Sequence, residues 1–360
     1  MGLLITVILV ALVFEYINGF HDTANSIAMG VSTKVLTPRQ AIGIAATMNL
    51  IGAFMGTAVA KTVSSGIADD KVIPANLVTY VLISALVGAI IWNLVTWWFG
   101  LPSSSSHALI GGLVGGALGA THMNMGAVIW YKAGAEHWWQ AGGVIGKVII
   151  PMFLSPLVAF TIGFLVMSFL YIVLQKARPA PVNSTFKFLQ IFSGSYMGLA
   201  HGQNDAQKTM GIIALALVGA TTAGHVHPDS FLYLKDLGPS KDQIPAWIKF
   251  TCAGVMALGT AAGGWKIVKT MGSKMVKVQP INGFTADACA ATVLAAGAHF
   301  GMPLSTTHAV TTSIMGVGCA KRWSALKLSV VARIIIAWML TLPTCAVLAY
   351  LTMRIFTAFL

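Results

Sequence analysis

Apolar residues fill the chain in long runs, and polar residues gather in a few short islands between or inside them. Runs of about 20 apolar residues, the length that spans roughly 30 Å of hydrocarbon, occur at Ala41 to Ala60, Asn76 to Phe99, Pro156 to Leu174 and Val330 to Leu351. Backbone that faces lipid must satisfy its own hydrogen bonds, so these runs predict helices and an all-α polytopic membrane protein of about 10–12 transmembrane segments. The first residues, "MGLLITVILVALVFEYINGF", have the apolar core of a signal peptide. They lack a basic start, carry Glu15 and run into a polar motif, so they read as a retained first helix.

The polar islands repeat. "GLPSSSSHALIGGLVGGALG" from Gly100 aligns without gaps to "GMPLSTTHAVTTSIMGVGCA" from Gly301. Upstream of each lies a second pair, "NGFHDTANSIAMG" from Asn18 and "AHGQNDAQKTMGI" from Ala200, which superposes Asp22 on Asp205. Two motifs in the same order mark an internal duplication. The halves are expected over 1–174 and 188–360, joined by a basic linker over 175–187, "QKARPAPVNSTFK".

Composition agrees with a bilayer. Only 9% of residues are charged and 56% are hydrophobic, with a mean hydropathy of +0.80. The net charge of +12 sits in short loops and not in one stripe, which argues against a nucleic-acid partner. Its distribution orients the halves. The Val31–Gln40 loop carries Lys34 and Arg39 without an acid, whereas the matching loop around Thr222–Pro245 mixes Lys235 and Lys241 with Asp229, Asp236 and Asp242. The next pair reverses this: Lys61–Ala75 balances Lys61 and Lys71 against Asp69 and Asp70, but Gly264–Pro280 carries Lys266, Lys269, Lys274 and Lys277. The positive-inside rule then places matching loops on opposite sides, which is an inverted-topology repeat of the secondary-transporter kind. Trp97, Trp98, Trp138, Trp139, Trp265 and Trp323 read as interfacial anchors. The four cysteines have no CxxC spacing and read as small core residues.

Four acids lie in or beside apolar segments: Glu15, Asp22, Asp205 and Asp287. A carboxylate at bilayer depth costs about 2.5–3.5 kcal/mol on insertion scales, so each is a candidate functional group. The Asp motifs are expected to break their helices, and the serine motifs to begin short re-entrant helices with Pro102 and Pro303 in the first turn. Free N–H groups, a positive dipole end and hydroxyls at such a start suit an oxyanion. Repeat alignment gives Ser104, Ser105 and Ser106 hydroxyl partners in Ser305, Thr306 and Thr307, and ranks Ser103, opposite Leu304, last. His107 and His308 read either as structural hydrogen-bonders or as ligand or proton contacts. Glu15 and Asp287 fit structural acids or cation and proton sites, and Lys208 fits either a neutraliser of Asp205 or an anion attractor.

With "GFHDTAN" (19–25), "GQNDAQK" (202–208), "PSSSSH" (102–107) and "PLSTTH" (303–308), the chain resembles the inorganic phosphate transporter (PiT) family over nearly its whole length. The resemblance implies secondary, ion-coupled transport of inorganic phosphate with sodium or protons through two inverted repeats, in the bacterial cytoplasmic membrane, often as a homodimer and without a bound cofactor. It implies that Asp22, Asn25, Ser104–Ser106, Asp205 and Ser305–Thr307 border a central site, with Asp22, Asn25, Asn204 and Asp205 as cation candidates and Gln207 beside them. Two departures stand out: His21 replaces an Asn of the common motif, and Gln207-Lys208 replaces the Ala-Asn seen at 24–25. A symporter for another tetrahedral oxyanion such as sulfate, a passive anion channel and an intramembrane serine hydrolase are the alternatives.

Overall fold

The apolar runs fold as helices because nothing else satisfies their backbone in lipid. The computed structural model describes residues 1–69, 71–133, 141–235 and 244–360; Asp70, Trp138, Trp139, Asp236, Lys241 and Asp242 lie outside the described residues. The first half holds α1 (Gly2–Ser32), α2 (Pro38–Ala53), α3 (Ala58–Ser65), α4 (Val78–Phe99), α5 (Ser105–Ala120) and α6 (Ile145–Val173), the last opening with a π turn. The second holds α7 (Pro179–Thr222), α8 (Ala246–Ala262), α9 (Trp265–Lys269), α10 (Pro280–His299), α11 (Thr306–Cys319) and α12 (Leu328–Phe359). Among the described residues, extended pairing is limited to two isolated bridges, Ala68 with Val128 and Lys132 with Gly142. By length and composition α1, α4, α6 and α12 are able to cross a bilayer.

The expected breaks at the two Asp motifs are absent: α1 runs unbroken through Asn18–Asn25 and α7 through His201–Lys208. The motif glycines serve packing instead. A Cβ on Gly19 would meet the Met256 carbonyl oxygen of α8 at 2.6 Å, and one on Gly202 would press on Asn49 of α2. Helix hydrogen bonds survive because the polar side chains face a buried polar centre, where they pair with each other. The interruptions fall one helix later. The expected continuous span Ala41–Ala60 is split at Phe54–Thr57, between α2 and α3. Its counterpart parts at Gly263-Gly264, between α8 and α9, so Gly264–Pro280 is part helix and not a plain loop.

The linker expected over 175–187 is also largely helical. Arg178 caps α7 and Pro179 takes its first turn, where a missing N–H costs nothing, leaving only 175–178 as a turn. The short helices begin where the serine motifs predict, although Pro102 and Pro303 precede them instead of entering the first turn. Gly100 and Gly301 turn the chain with φ of +65° and +62°. Extended residues then lead to Ser104 and Ser305, whose hydroxyl oxygens accept the backbone N–H of His107 at 3.2 Å and of His308 at 3.1 Å.

Two apolar cores flank the polar centre. One gathers Leu4–Phe14 of α1 with α3, α4, α5, α8 and residues 206–217 of α7. The other gathers Ala24–Met29 of α1 with α2, α10, α11 and Phe186–Ala200 of α7. Each long helix therefore runs from one core to the other, in opposite senses, and its polar motif lies at the crossing. Packing partners are exchanged between halves, with α1 on α8, α7 on α2, α5 on α12 and α11 on α6, while α1 also lies on α4 and α7 on α10 of their own halves.

Candidate functional site

Four helices deliver the motif residues to one place. α1 brings Asp22 and Asn25, α7 brings Asp205 and Lys208, and the starts of α5 and α11 bring Ser104–Ser106 and Ser305–Thr307. All are at most 2% exposed. Ser105 donates to Asp22 Oδ2 at 3.2 Å and Thr307 to Asp22 Oδ1 at 3.5 Å. Thr306 donates to Asp205 Oδ2 at 3.3 Å. Asn25 Nδ2 spans both threonines, donating to Thr306 at 3.2 Å and Thr307 at 3.0 Å. The Ser106 hydroxyl reaches across to the Leu304 carbonyl at 3.1 Å, which holds the two helix starts side by side. Ligand atoms of Asp22, Asp205 and His201 lie within 4.8 Å of one another. A closed polar cluster results, with two carboxylates on one side and hydroxyls plus two helix N-termini on the other.

Each carboxylate is held by a histidine that the motif reading missed. His21 Nδ1 lies 2.7 Å from Asp22 Oδ1, and its Nε2 lies 3.0 Å from the Thr96 hydroxyl and 3.3 Å from that of Ser103. Ser103, ranked last by repeat alignment, thus orients Asp22 through His21. In the second half His201 Nε2 lies 3.2 Å from Asp205 Oδ2, and its Nδ1 donates to Asn49 Oδ1 at 3.1 Å. The signal was present in the alignment: Asn18 and His21 of one half stand opposite His201 and Asn204 of the other, so histidine and asparagine trade places.

Other candidates sit around this centre. Lys208 Nζ bonds Asp205 Oδ1, as a neutraliser would. Gln207 turns away and accepts the Val59 N–H at 2.9 Å and the Ala60 N–H at 3.4 Å, capping α3. Asn204, a cation candidate, instead donates to the Ala200 and Leu294 carbonyls at 2.9 and 3.1 Å. His107 and His308 meet edge to face at 4.8 Å, and His308 lies against Trp338. Glu15, two turns before Asp22, accepts from Thr209 of α7. Asp287 lies beside Gly194 of α7, 11 residues or about 16 Å along the helix from Asp205. A cavity of roughly 870 Å³ bordered by Lys249, Gln203, Gln207 and His299 opens on the other side of Gln207.

The sequence pattern described as "Phosphate transporter family" matches residues 18–349. A Bacillus subtilis protein named "Probable low-affinity inorganic phosphate transporter" is 41% identical over 346 residues, 96% of this chain and 95% of its own length. One of the same name from Rhizobium meliloti is 42% identical over 350 residues, 97% of this chain and 95% of its own length. A solved structure, "The sodium-dependent phosphate transporter", superposes over 100% of both chains with a TM-score of 0.80 at 23% identity, which shows a shared fold.

Proposed function

The chain belongs to the phosphate transporter family, as a multi-pass protein of the cytoplasmic membrane and not an enzyme, and from that premise we propose that it is a symporter carrying inorganic phosphate with sodium or protons. The reading rests above all on one observation: the hydroxyl-rich starts of α5 and α11 and the two intramembrane carboxylates converge in a single buried cluster. Phosphate takes the place between them. Ser105, Ser106, Thr306 and Thr307 then turn their hydroxyls from the carboxylates to its oxygens, joined by the backbone N–H groups of the two first turns.

The carboxylates, which repel a bare anion, act in two ways. A protonated phosphate oxygen donates to Asp22, an interaction that sulfate, with no proton to give at neutral pH, does not offer. A cation held by Asp22 and neighbouring hydroxyls makes anion binding depend on its presence, which is symport. Halves of opposite topology, supported by the opposed runs of α1 and α7 between the two cores, supply alternating access around this centre. The cavity beside Lys249 and His299 serves as a cationic approach from one side.

Two alternatives lose ground on geometry. A serine hydrolase needs a solvent-reachable nucleophile, and the Ser–His–Asp chain found among the described residues, Ser103–His21–Asp22, has 0% of Ser103 and His21 exposed. A passive channel has no use for carboxylates beside the anion. The test is radiolabelled phosphate uptake into proteoliposomes, with sodium and proton gradients imposed separately and sulfate as competitor. Accumulation driven by one of the gradients and indifferent to sulfate is expected; failure of both gradients to drive accumulation contradicts symport.

A further inference from the structure

The two halves treat their carboxylates differently. Three residues after Asp22 stands Asn25; three residues after Asp205, at the repeat-equivalent position, stands Lys208. Asn25 spends its amide on Thr306 and Thr307. Lys208 is 1% exposed and gives its ammonium to Asp205 Oδ1. The other oxygen of Asp205 is already approached by His201 at 3.2 Å and Thr306 at 3.3 Å. Each oxygen of Asp205 thus already has a donor, Lys208 on one and Thr306 on the other. The polar neighbours of Asp22, by contrast, are His21, Ser105 and Thr307, and hydroxyls rotate to offer an oxygen lone pair to a cation.

A buried lysine is costly unless its charge is used, and breaking a buried pair is strongly destabilising. A sodium ion seeking Asp205 has to displace that ammonium. We propose that Lys208 is a tethered cation that holds the place of a transported ion at the second half's carboxylate, so that the coupling ion binds at the Asp22 half alone. The chain thereby moves one fewer cation per phosphate than an Asn at position 208 would allow. This inference rests on the symport reading above.

The test replaces the lysine by its repeat counterpart, Lys208→Asn, and measures ²²Na and ³²P uptake together in proteoliposomes, beside the wild type. The ratio of sodium to phosphate is expected to rise by one ion in the variant, from whatever value the wild type shows. A variant that transports with an unchanged ratio overturns the inference while leaving symport intact; a wild type that accumulates phosphate under neither gradient overturns both. Should Lys208→Asn fold but not transport, its melting temperature in detergent is followed against sodium chloride, with choline chloride at equal ionic strength as control. Sodium-specific stabilisation of the variant at concentrations that leave the wild type unmoved supports the proposal, and equal responses refute it. Lys208→Gln serves in both assays if the Asn variant does not fold, with the same two outcomes.

Discussion

Gly202 is the position where packing and the buried site are most directly linked. It lies between His201 and Gln203 on α7, where that helix crosses α2. A Cβ there would press on the Asn49 carbonyl oxygen and fall 2.6 Å from the Asn49 Cα. Carbon atoms rest at about 3.5–4.0 Å, so the helices have to part by about 1 Å. Asn49 also orients His201, through the Nδ1–Oδ1 bond of 3.1 Å, and is itself held by donating to Thr260 at 3.0 Å. The displacement therefore passes to Asp205, which His201 approaches at 3.2 Å. Overpacking of this kind costs about 1–3 kcal/mol, and misplacing a functional group by about 1 Å lowers rates by on the order of 100-fold. Gly202→Ala is expected to lower initial phosphate uptake in proteoliposomes by one to two orders of magnitude, with a melting temperature a few degrees below wild type. Gly43→Ala on α2 is the matched control: nothing lies within 4 Å of its Cβ, and alanine in a helix interior is favoured by about 0.5–1 kcal/mol. It should transport like the wild type. Wild-type uptake and melting by Gly202→Ala would refute the link between the crossing and the site.

Asp22→Asn and Asp205→Asn should each abolish coupled phosphate uptake. The second should also melt lower than the first, because it strands the buried Lys208 ammonium at a cost of about 3–5 kcal/mol, whereas the hydrogen-bonding partners of Asp22 are hydroxyls and a histidine; equal melting would contradict that distinction. Thr307→Val removes a hydroxyl assigned to the bound phosphate, one that in the unliganded site donates to Asp22 and accepts from Asn25. At about 1 kcal/mol or more per bond, it should raise the KM for phosphate roughly tenfold with the protein still folded, as read by uptake against phosphate concentration. Ser103→Ala, remote from the helix starts in its bonding but tied to His21, should slow uptake while shifting the melting temperature by only the few degrees that about 1 kcal/mol represents.

The gathering of these residues into one centre is legible because their motifs are written twice. A single serine run reads as helix glue, but the pairing of Ser104–Ser106 with Ser305–Thr307, each downstream of an aspartate motif, marks residues that the fold brings together. The breaks were misplaced for a physical reason. Polar residues and a glycine inside an apolar run look like an interruption, yet Gly19 and Gly202 are there so that helices can touch, and His21, Asp22, His201 and Asp205 near them find partners within the bundle. The true interruption at Phe54–Thr57 lies in an apolar stretch whose hydropathy hides it. The helical part of the 175–187 segment is not legible in its prolines, because they fall at the start of α7, where a helix tolerates them. The histidines escaped because they occupy different positions in the two halves, so a search for identical residues passes over them. The roles of Asn204 and Gln207 depend on which way a side chain turns from a helix, which spacing alone did not reveal.

The most direct measurement is an experimental density map of the protein with inorganic phosphate. The account predicts a tetrahedral feature between Ser105, Ser106, Thr306 and Thr307, facing Asp22 and Asp205. Density confined to the cavity beside Lys249 and His299, with the hydroxyls still turned to the carboxylates, would contradict it.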